Sequence, residues 1–392
     1  MSAGVVILGA GQAAAQLAIS LRQGGFAGPI RMLGHEPYPP YQRPPLSKAF
    51  LKDRTNIDSL FLRPETFWRD REVVVETGMA AAAVDPARKR VTLADGRERE
   101  FDTLVFATGT RARDLPLPGA TLPGVYSLRK IDDVCRLRPA LDAARRAVIV
   151  GGGYIGLEVA AVLREEGRAA TVIEAEERLM KRVTGETVSA YFLRLHRARG
   201  VDVRLGGRLV AIEGADRVTG VVLGNGERIA ADIVLVATGA RANDELAAAA
   251  GIACNDGIAV DHCARTAVPG VYAIGDCARF ASRRYGRTIR LECVQNAIDQ
   301  AKAAAAAILG EPKPYDPVPW FWSDQYDVKL QIAGLFNDYD AETTQGSPAE
   351  GKFSVDYRGR GRLLAVDAIN DARAHMLGRR RIAAEPIEAG HG

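Results

Sequence analysis

The chain has 392 residues, 47% of them hydrophobic and 26% charged, the balance of a folded globular protein too long for one ordinary core. A formal net charge of +4 is too small at this length to make nucleic acid an expected partner, and no apolar run is long enough to span a bilayer. The five cysteines, Cys135, Cys254, Cys263, Cys277 and Cys293, form no C-x-x-C pair and no metal-ligand spacing, so small buried thiols are expected rather than a disulfide framework or a metal site.

The first predicted element is the apolar run in GVVILGAG, which suits a buried parallel strand. No basic segment or cleavage site precedes it, so a cytoplasmic protein is expected. Gly9, Gly11 and Ala14 follow in G-x-G-x-x-A order ahead of a helical stretch. Gly9 permits a tight turn, Gly11 lets the backbone approach a pyrophosphate, and Ala14 lets helix and strand pack closely. The phosphates would sit on the helix N-terminus, where free N–H groups and the dipole favour an anion. The next strand, IRMLGHE, ends at Glu36, where a ribose-binding acid belongs. In RPPLSK, residues 43–48, Pro44 and Pro45 stiffen the segment, so Lys48 can be held in place at small entropic cost. The bland alternative for Lys48 is a surface lysine, the lesser reading in this motif context.

LVFATGTRAR (104–113) and VLVATGARAN (234–243) are two copies of a strand, Ala-Thr-Gly and a basic residue, each expected to close one nucleotide domain and lead the chain into the next. Between them RAVIVGGGYIGLEVAAVLREEG repeats the glycine loop with Gly151, Gly153 and Gly156, and the strand ATVIEAEERL presents Glu174. A carboxylate there accepts hydrogen bonds from ribose hydroxyls and repels a 2′-phosphate, which favours NADH over NADPH. Arg178, Lys181 and Arg182 nearby argue the other way, unless they form a solvated edge or a pyrophosphate clasp. VYAIGDCARF ends a further strand at Asp276, an acid placed to bind ribityl hydroxyls with a helix N-terminus beneath the pyrophosphate. Two dinucleotide loops imply two dinucleotides, one held and one exchanged, and hydride transfer between NAD(P)H and a flavin is the economical explanation. PWFWSDQY (319–326) holds two of the three tryptophans, Trp320 and Trp322, either as a packed cluster or as the cover of a site.

Together RPPLSK, GGGYIGLEVAA, AIGDCARF and PWFWSDQY resemble the FAD-dependent, two-dinucleotide-domain oxidoreductases related to glutathione reductase. Within them the chain is similar, from the first strand to about residue 370, to the NADH-dependent ferredoxin reductases of oxygenase systems, the putidaredoxin reductase and biphenyl dioxygenase reductase type. The resemblance implies an α/β fold with two Rossmann-like dinucleotide domains and a small C-terminal α/β domain. The FAD domain would comprise residues 1–108 and 240–314, the NADH domain 109–239 and the interface domain 315–392. Carried over by position, Ala13, Arg43, Lys48, Ala81, Arg129, Asp276 and Val294 would contact FAD, with Thr108 and Gly109 at the end of their strand. Ile155, Glu158, Glu174, Arg182 and Gly239 would hold NADH, and Trp322 would lie near the flavin where electrons leave. Lys48 would favour the reduced flavin, and Glu158 would pair with it and touch the nicotinamide, or stand as a helix-face carboxylate.

The implied reaction passes hydride from NADH to FAD and then single electrons to a [2Fe–2S] ferredoxin, which feeds a Rieske dioxygenase or a cytochrome-type monooxygenase. The region that holds a redox cysteine pair in glutathione reductase reads RPPLSKAFL here, so electrons must leave the flavin directly, and no spacing fits an iron–sulfur cluster of the chain's own. Lys302 and Lys329 are candidate docking residues for an acidic ferredoxin. Arg379, Arg380 and Arg381 read as a solvated charge run in a tail shorter than in most relatives, and His35 replaces an acid beside Glu36. Two rivals fit the same elements. One is a rubredoxin reductase or general NADH:acceptor flavoenzyme; the other is an apoptosis-inducing-factor-like redox-sensing binding protein, which would carry long insertions this sequence lacks.

Overall fold

The computed structural model describes residues 3–53 and 55–385. Val5–Leu8, the apolar run before the first glycine loop, is the middle strand of a five-stranded parallel sheet. Thr103–Phe106 and Val271–Ala273 lie to one side, and Ile30–Leu33 and Val73–Glu76 to the other. All four residues of the middle strand are buried, as a continuous apolar strand covered on both faces requires. Arg146–Val150 holds the same place in a second parallel sheet, between Ala169–Glu174 with Asp202–Leu205 and Ile233–Val236 with Val125–Ser127.

The likeness of the two units extends further. A helix leaves each middle strand across a glycine loop, Gln12–Gln23 in the first and Tyr154–Glu165 in the second. Each unit also has a three-stranded antiparallel sheet, formed by Ala81–Asp85, Arg90–Leu93 and Glu98–Glu100 in the first and by Leu209–Glu213, Gly220–Leu223 and Arg228–Ala230 in the second. The chain passes between them along Thr110–Ala112 and Ala240–Ala242, which pair antiparallel. Thr108 and Asn243 brace this crossing: Thr108 Oγ1 donates to Asn243 O at 2.6 Å and Asn243 Nδ2 to Thr108 O at 2.8 Å.

The C-terminal sheet is antiparallel, in the order Trp320–Gln325, Val328–Gly334, Arg362–Ile369, Lys352–Gly359 and Ala341–Ser347. The helix Ala372–Ala384 covers its middle strands. Its other side shares a core with the second parallel unit, joining Leu330, Val355 and Ile369 to Ile149, Leu157 and Phe192. The edge strand Trp320–Gln325 is thereby laid against helix Tyr154–Glu165, directly behind the second glycine loop. Among the described residues no helix is long and apolar enough to cross a membrane.

Candidate active site

Both glycine loops open into one cavity of about 1440 Å³. A single drug-sized ligand occupies roughly 300–1,000 Å³, so this space suits two long ligands meeting end to end. Of the dinucleotide-site residues named from sequence, all but Ala14 and Gly156 line it. Those two face the sheet: Ala14 is wholly buried, and a Cβ on Gly156 would lie 2.1 Å from Gly151 O.

The glycines divide the work. Gly9 and Gly151 take φ of +119° and +113°, and a Cβ on either would strike a backbone oxygen of the neighbouring strand at 2.2 or 2.4 Å. A Cβ on Gly11 or Gly153 would meet no protein atom within 4 Å, so the protein's own packing does not require glycine there. Each is the N-cap of its helix with no side-chain cap, and neither first turn carries an acid. Two positive helix ends are therefore left open toward the cavity, and the fit to two pyrophosphates is direct.

Around the first loop, Glu36 accepts from Tyr41 Oη at 2.6 Å and from Arg43 at 2.7 Å, while the exposed His35 lines the same wall. Arg43 also donates to Arg129 O at 2.7 Å. Asp276, on the short turn Gly275–Cys277, pairs with Arg129 at 2.7 Å and accepts from Thr110 Oγ1 at 3.3 Å. Ala13, Ala81 and Val294 supply apolar wall beside these groups.

In the second unit, Glu174 is pinned by the backbone N–H groups of Gly152 at 2.7 Å and Glu176 at 2.9 Å. Arg178 is used up inside its own loop, donating to Thr184 O and Ser189 Oγ. Lys181 pairs with Glu176 and Glu177, both at 2.8 Å, so neither cation is a free phosphate clasp. Arg182 lines the cavity against Gly239, and Ile155 leaves an apolar side chain 37% exposed in the first helical turn. A large aliphatic exposed in a cleft has no packing reason and suits a planar ligand ring.

Lys48 and Glu158 come from different units and meet where the two halves of the cavity join. Lys48 Nζ lies 2.7 Å from Glu158 Oε2, with the lysine side chain 21% and the glutamate 4% exposed. Ser47 Oγ also donates to Glu158 Oε2, and Ser323 Oγ donates to Oε1 at 2.6 Å. Sequence reading missed both serines; their signal was only that each stands inside a motif already singled out, RPPLSK and PWFWSDQY. The wall above is aromatic, with Trp320 and Trp322 at 5.7 Å between centroids and Phe321 at 4.6 Å from Tyr154. Burial raises the Tyr154 pKa well above its usual value, and Asp367 and Glu158 add to the effect.

Arg379, Arg380 and Arg381 are exposed, as a solvated charge run should be, and they stand on helix Ala372–Ala384. Arg379 sits over the Trp320 ring at 5.2 Å and Arg381 pairs with Asp356, while residues 386–392 lie outside the described residues. Lys302 and Lys329 are exposed, but each is paired at 3.3 Å with Asp299 or Asp324. Lys329 shares the Trp322 face of the edge hairpin, since its partner Asp324 lies two residues beyond Trp322 on that strand. None of the five cysteines lies in residues 43–51. Cys293 lines the cavity, but burial pushes its thiol up to about 12, so it is no thiolate.

Residues 3–306 match the pyridine nucleotide-disulphide oxidoreductase family and residues 320–388 the reductase C-terminal domain. The chain belongs to the pyridine nucleotide-disulphide oxidoreductase family. As a member of it, the protein is an oxidoreductase that uses FAD and a pyridine nucleotide. A ferredoxin–NAD(P)(+) reductase of Sphingomonas is 44% identical over 98% of this chain and 93% of that protein. A rubredoxin–NAD(+) reductase of Pseudomonas putida is 38% identical over 93% of this chain and 95% of that one. The solved covalent complex of putidaredoxin reductase with putidaredoxin superposes with a TM-score of 0.94 at 38% identity, covering 97% of this chain and 92% of that chain. The oxidoreductase thus has the family's two loops while lacking the thiol pair that the family name implies.

Proposed function

We propose that this flavoprotein is an NADH:ferredoxin oxidoreductase of a cytoplasmic oxygenase electron-transfer chain. The FAD domain is assigned to residues 1–108 and 240–314, the NADH domain to 109–239 and the partner-facing domain to 315–392. One observation carries the reading: two dinucleotide loops share a cavity whose junction holds Lys48, Glu158 and Trp322, and whose lining has the single thiol of Cys293 in place of a redox pair. Bound there, FAD supplies the conversion of a two-electron donor, NADH, into single electrons. The chain's own residues do the rest.

Lys48 presents a fixed ammonium at the junction, and Glu158, which holds it, lines the cavity and would touch a nicotinamide bound there. Glu174 selects for NADH: its carboxylate is fixed on backbone N–H groups, and Arg178 and Lys181 are engaged elsewhere, so a 2′-phosphate would meet negative charge, offset by the cavity-lining Arg182 and Arg208. Trp322 and Trp320 line the cavity and stand between the junction and the face carrying Lys329 and Arg379. An acidic [2Fe–2S] ferredoxin suits that face.

The relative named as a rubredoxin reductase favours a second acceptor class. Steady-state turnover with NADH and, in turn, a [2Fe–2S] ferredoxin, a rubredoxin and a soluble quinone separates the readings. A kcat/KM for ferredoxin at least about tenfold above both others is expected. Equal values for all three would leave a general NADH:acceptor flavoenzyme.

A further inference from the structure

The aromatic wall accounts for only half of PWFWSDQY. Along strand Trp320–Gln325 the side chains alternate, so Trp320, Trp322 and Asp324 share one face and Phe321, Ser323 and Gln325 the other. Ser323 and Gln325 are wholly buried, and polar groups sealed in a core need partners. Their partners form a line. Ser323 Oγ donates to Glu158 Oε1 at 2.6 Å, and Gln325 Nε2 donates to Ser323 Oγ at 3.2 Å. Gln325 Oε1 faces His196 Nε2 at 2.8 Å, and His196 Nδ1 lies 3.4 Å from the Tyr326 hydroxyl.

The direction of the line follows from its end. A carboxylate paired with Lys48 only accepts, so the Ser323 hydroxyl must donate to it and accept from Gln325. That turns the Gln325 NH₂ toward Ser323 and its oxygen toward His196, whose Nε2 therefore carries the ring hydrogen. His196 is wholly buried, and burial lowers its pKa to about 4, so the ring is neutral near pH 7. Every donor thus points toward Glu158, and in a dry core such aligned bonds polarise one another. The amide in the middle interrupts proton transfer, so the line polarises and does not conduct.

We propose that Ser323, Gln325 and His196 are positioning residues that act through Glu158, holding it as the carboxylate partner of Lys48 and so setting how well the Lys48 charge is compensated at the flavin site. This rests on the reductase reading above. Few other charged or titratable groups bear on Glu158. Tyr154 stands one turn earlier on its own helix, Asp367 acts on that tyrosine from the C-terminal sheet, and Asp324 faces away, paired with Lys329. With a donor removed, Glu158 loses its fixed place beside Lys48 and compensates the Lys48 charge less well. A less compensated ammonium favours the more negative, reduced form of the flavin, so the midpoint potential rises.

The test uses the FAD-loaded protein and compares wild type, Ser323→Ala, Gln325→Leu and Ser323→Thr. Ser323→Ala should raise the flavin midpoint potential. It should also shift, at neutral pH, an infrared carboxylate band that Ser323→Ala combined with Glu158→Gln lacks. Gln325→Leu should shift the potential in the same direction by less, and Ser323→Thr, which keeps the hydroxyl, should restore the wild-type value. If Ser323→Ala and Gln325→Leu lower only the Tm and leave potential and infrared spectrum at wild-type values, the line is structural and the proposal is overturned. Ser323→Ala removes one oxygen, so it carries the test even if Gln325→Leu fails to fold. A wild-type flavin that NADH does not reduce would instead overturn the reductase reading itself.

Discussion

At the residue scale the chemistry concentrates in one ion pair, Lys48–Glu158, buried on the glutamate side and served by two serine hydroxyls. Removing a preorganised charge from a site where charge develops commonly costs about 10²-fold in rate. Lys48→Ala should therefore slow flavin reduction by NADH by about that factor, seen by stopped-flow absorbance, with the bound flavin retained. Trp322→Ala should behave oppositely: NADH reduction stays near wild type, while turnover with ferredoxin falls several-fold. Equal losses in both half-reactions would place Trp322 in general packing. Glu174→Ala, which lifts a charge-assisted contact of about 1.5–3 kcal/mol, should narrow the NADH over NADPH preference in kcat/KM by at least about tenfold. The carboxylates at 36 and 174 were legible because each follows a glycine loop near the end of the next strand. Glu174 is the last residue of Ala169–Glu174, whereas Glu36 lies three residues past Ile30–Leu33 and not at its end as expected. The loop-bound state of Arg178 and Lys181 was not, since a cation near a glycine loop reads alike whether it faces phosphate or its own neighbours.

At the scale of elements, the two strand–loop–helix units were readable from spacing alone, because a tight turn, a close approach and a close packing contact each demand a small residue at a fixed offset. The structure separates these demands. Gly153→Ala places a methyl in open space, so Tm should hold within a few degrees while KM for NADH rises at least about tenfold. Gly156→Ala drives a Cβ to 2.1 Å from the Gly151 carbonyl, so thermal unfolding should come earlier despite alanine's better helix propensity. Strand Trp320–Gln325 was legible only on its aromatic face. Its buried face is specified by partners far away in sequence, Glu158 and His196, and no local period announces a pairing 129 residues apart.

At the scale of the whole molecule, the C-terminal sheet is fastened to the second nucleotide unit by a buried carboxyl. Asp367 accepts from Tyr357 at 2.8 Å and from Thr184, across the boundary between the two units, while its other oxygen has no hydrogen-bond partner. Burial raises its pKa to about 7, above that of an unfolded aspartic acid, so its contribution to stability is complete below about pH 4 and is lost as pH rises through 7. Asp367→Asn should accordingly gain several degrees in Tm relative to wild type at about pH 8.5 and little at about pH 5. His196 acts at the other end of the scale. Its pKa is lowered to about 4, so its contribution is present above about pH 6.5 and is lost as pH falls toward 4. Neither residue stood out in the sequence, where an aspartate in a strand and a histidine in a helix carry no sign of burial.

The central claim is that the two loops bring a nicotinamide and a flavin together at Lys48 and Glu158. Anaerobic titration of the purified flavoprotein with NADH, followed by visible absorbance, tests it most directly. The account predicts that the oxidised-flavin bands bleach with about one equivalent of NADH, and only sluggishly with NADPH. Flavin bands that NADH leaves in place, or a protein that binds no flavin, would contradict it.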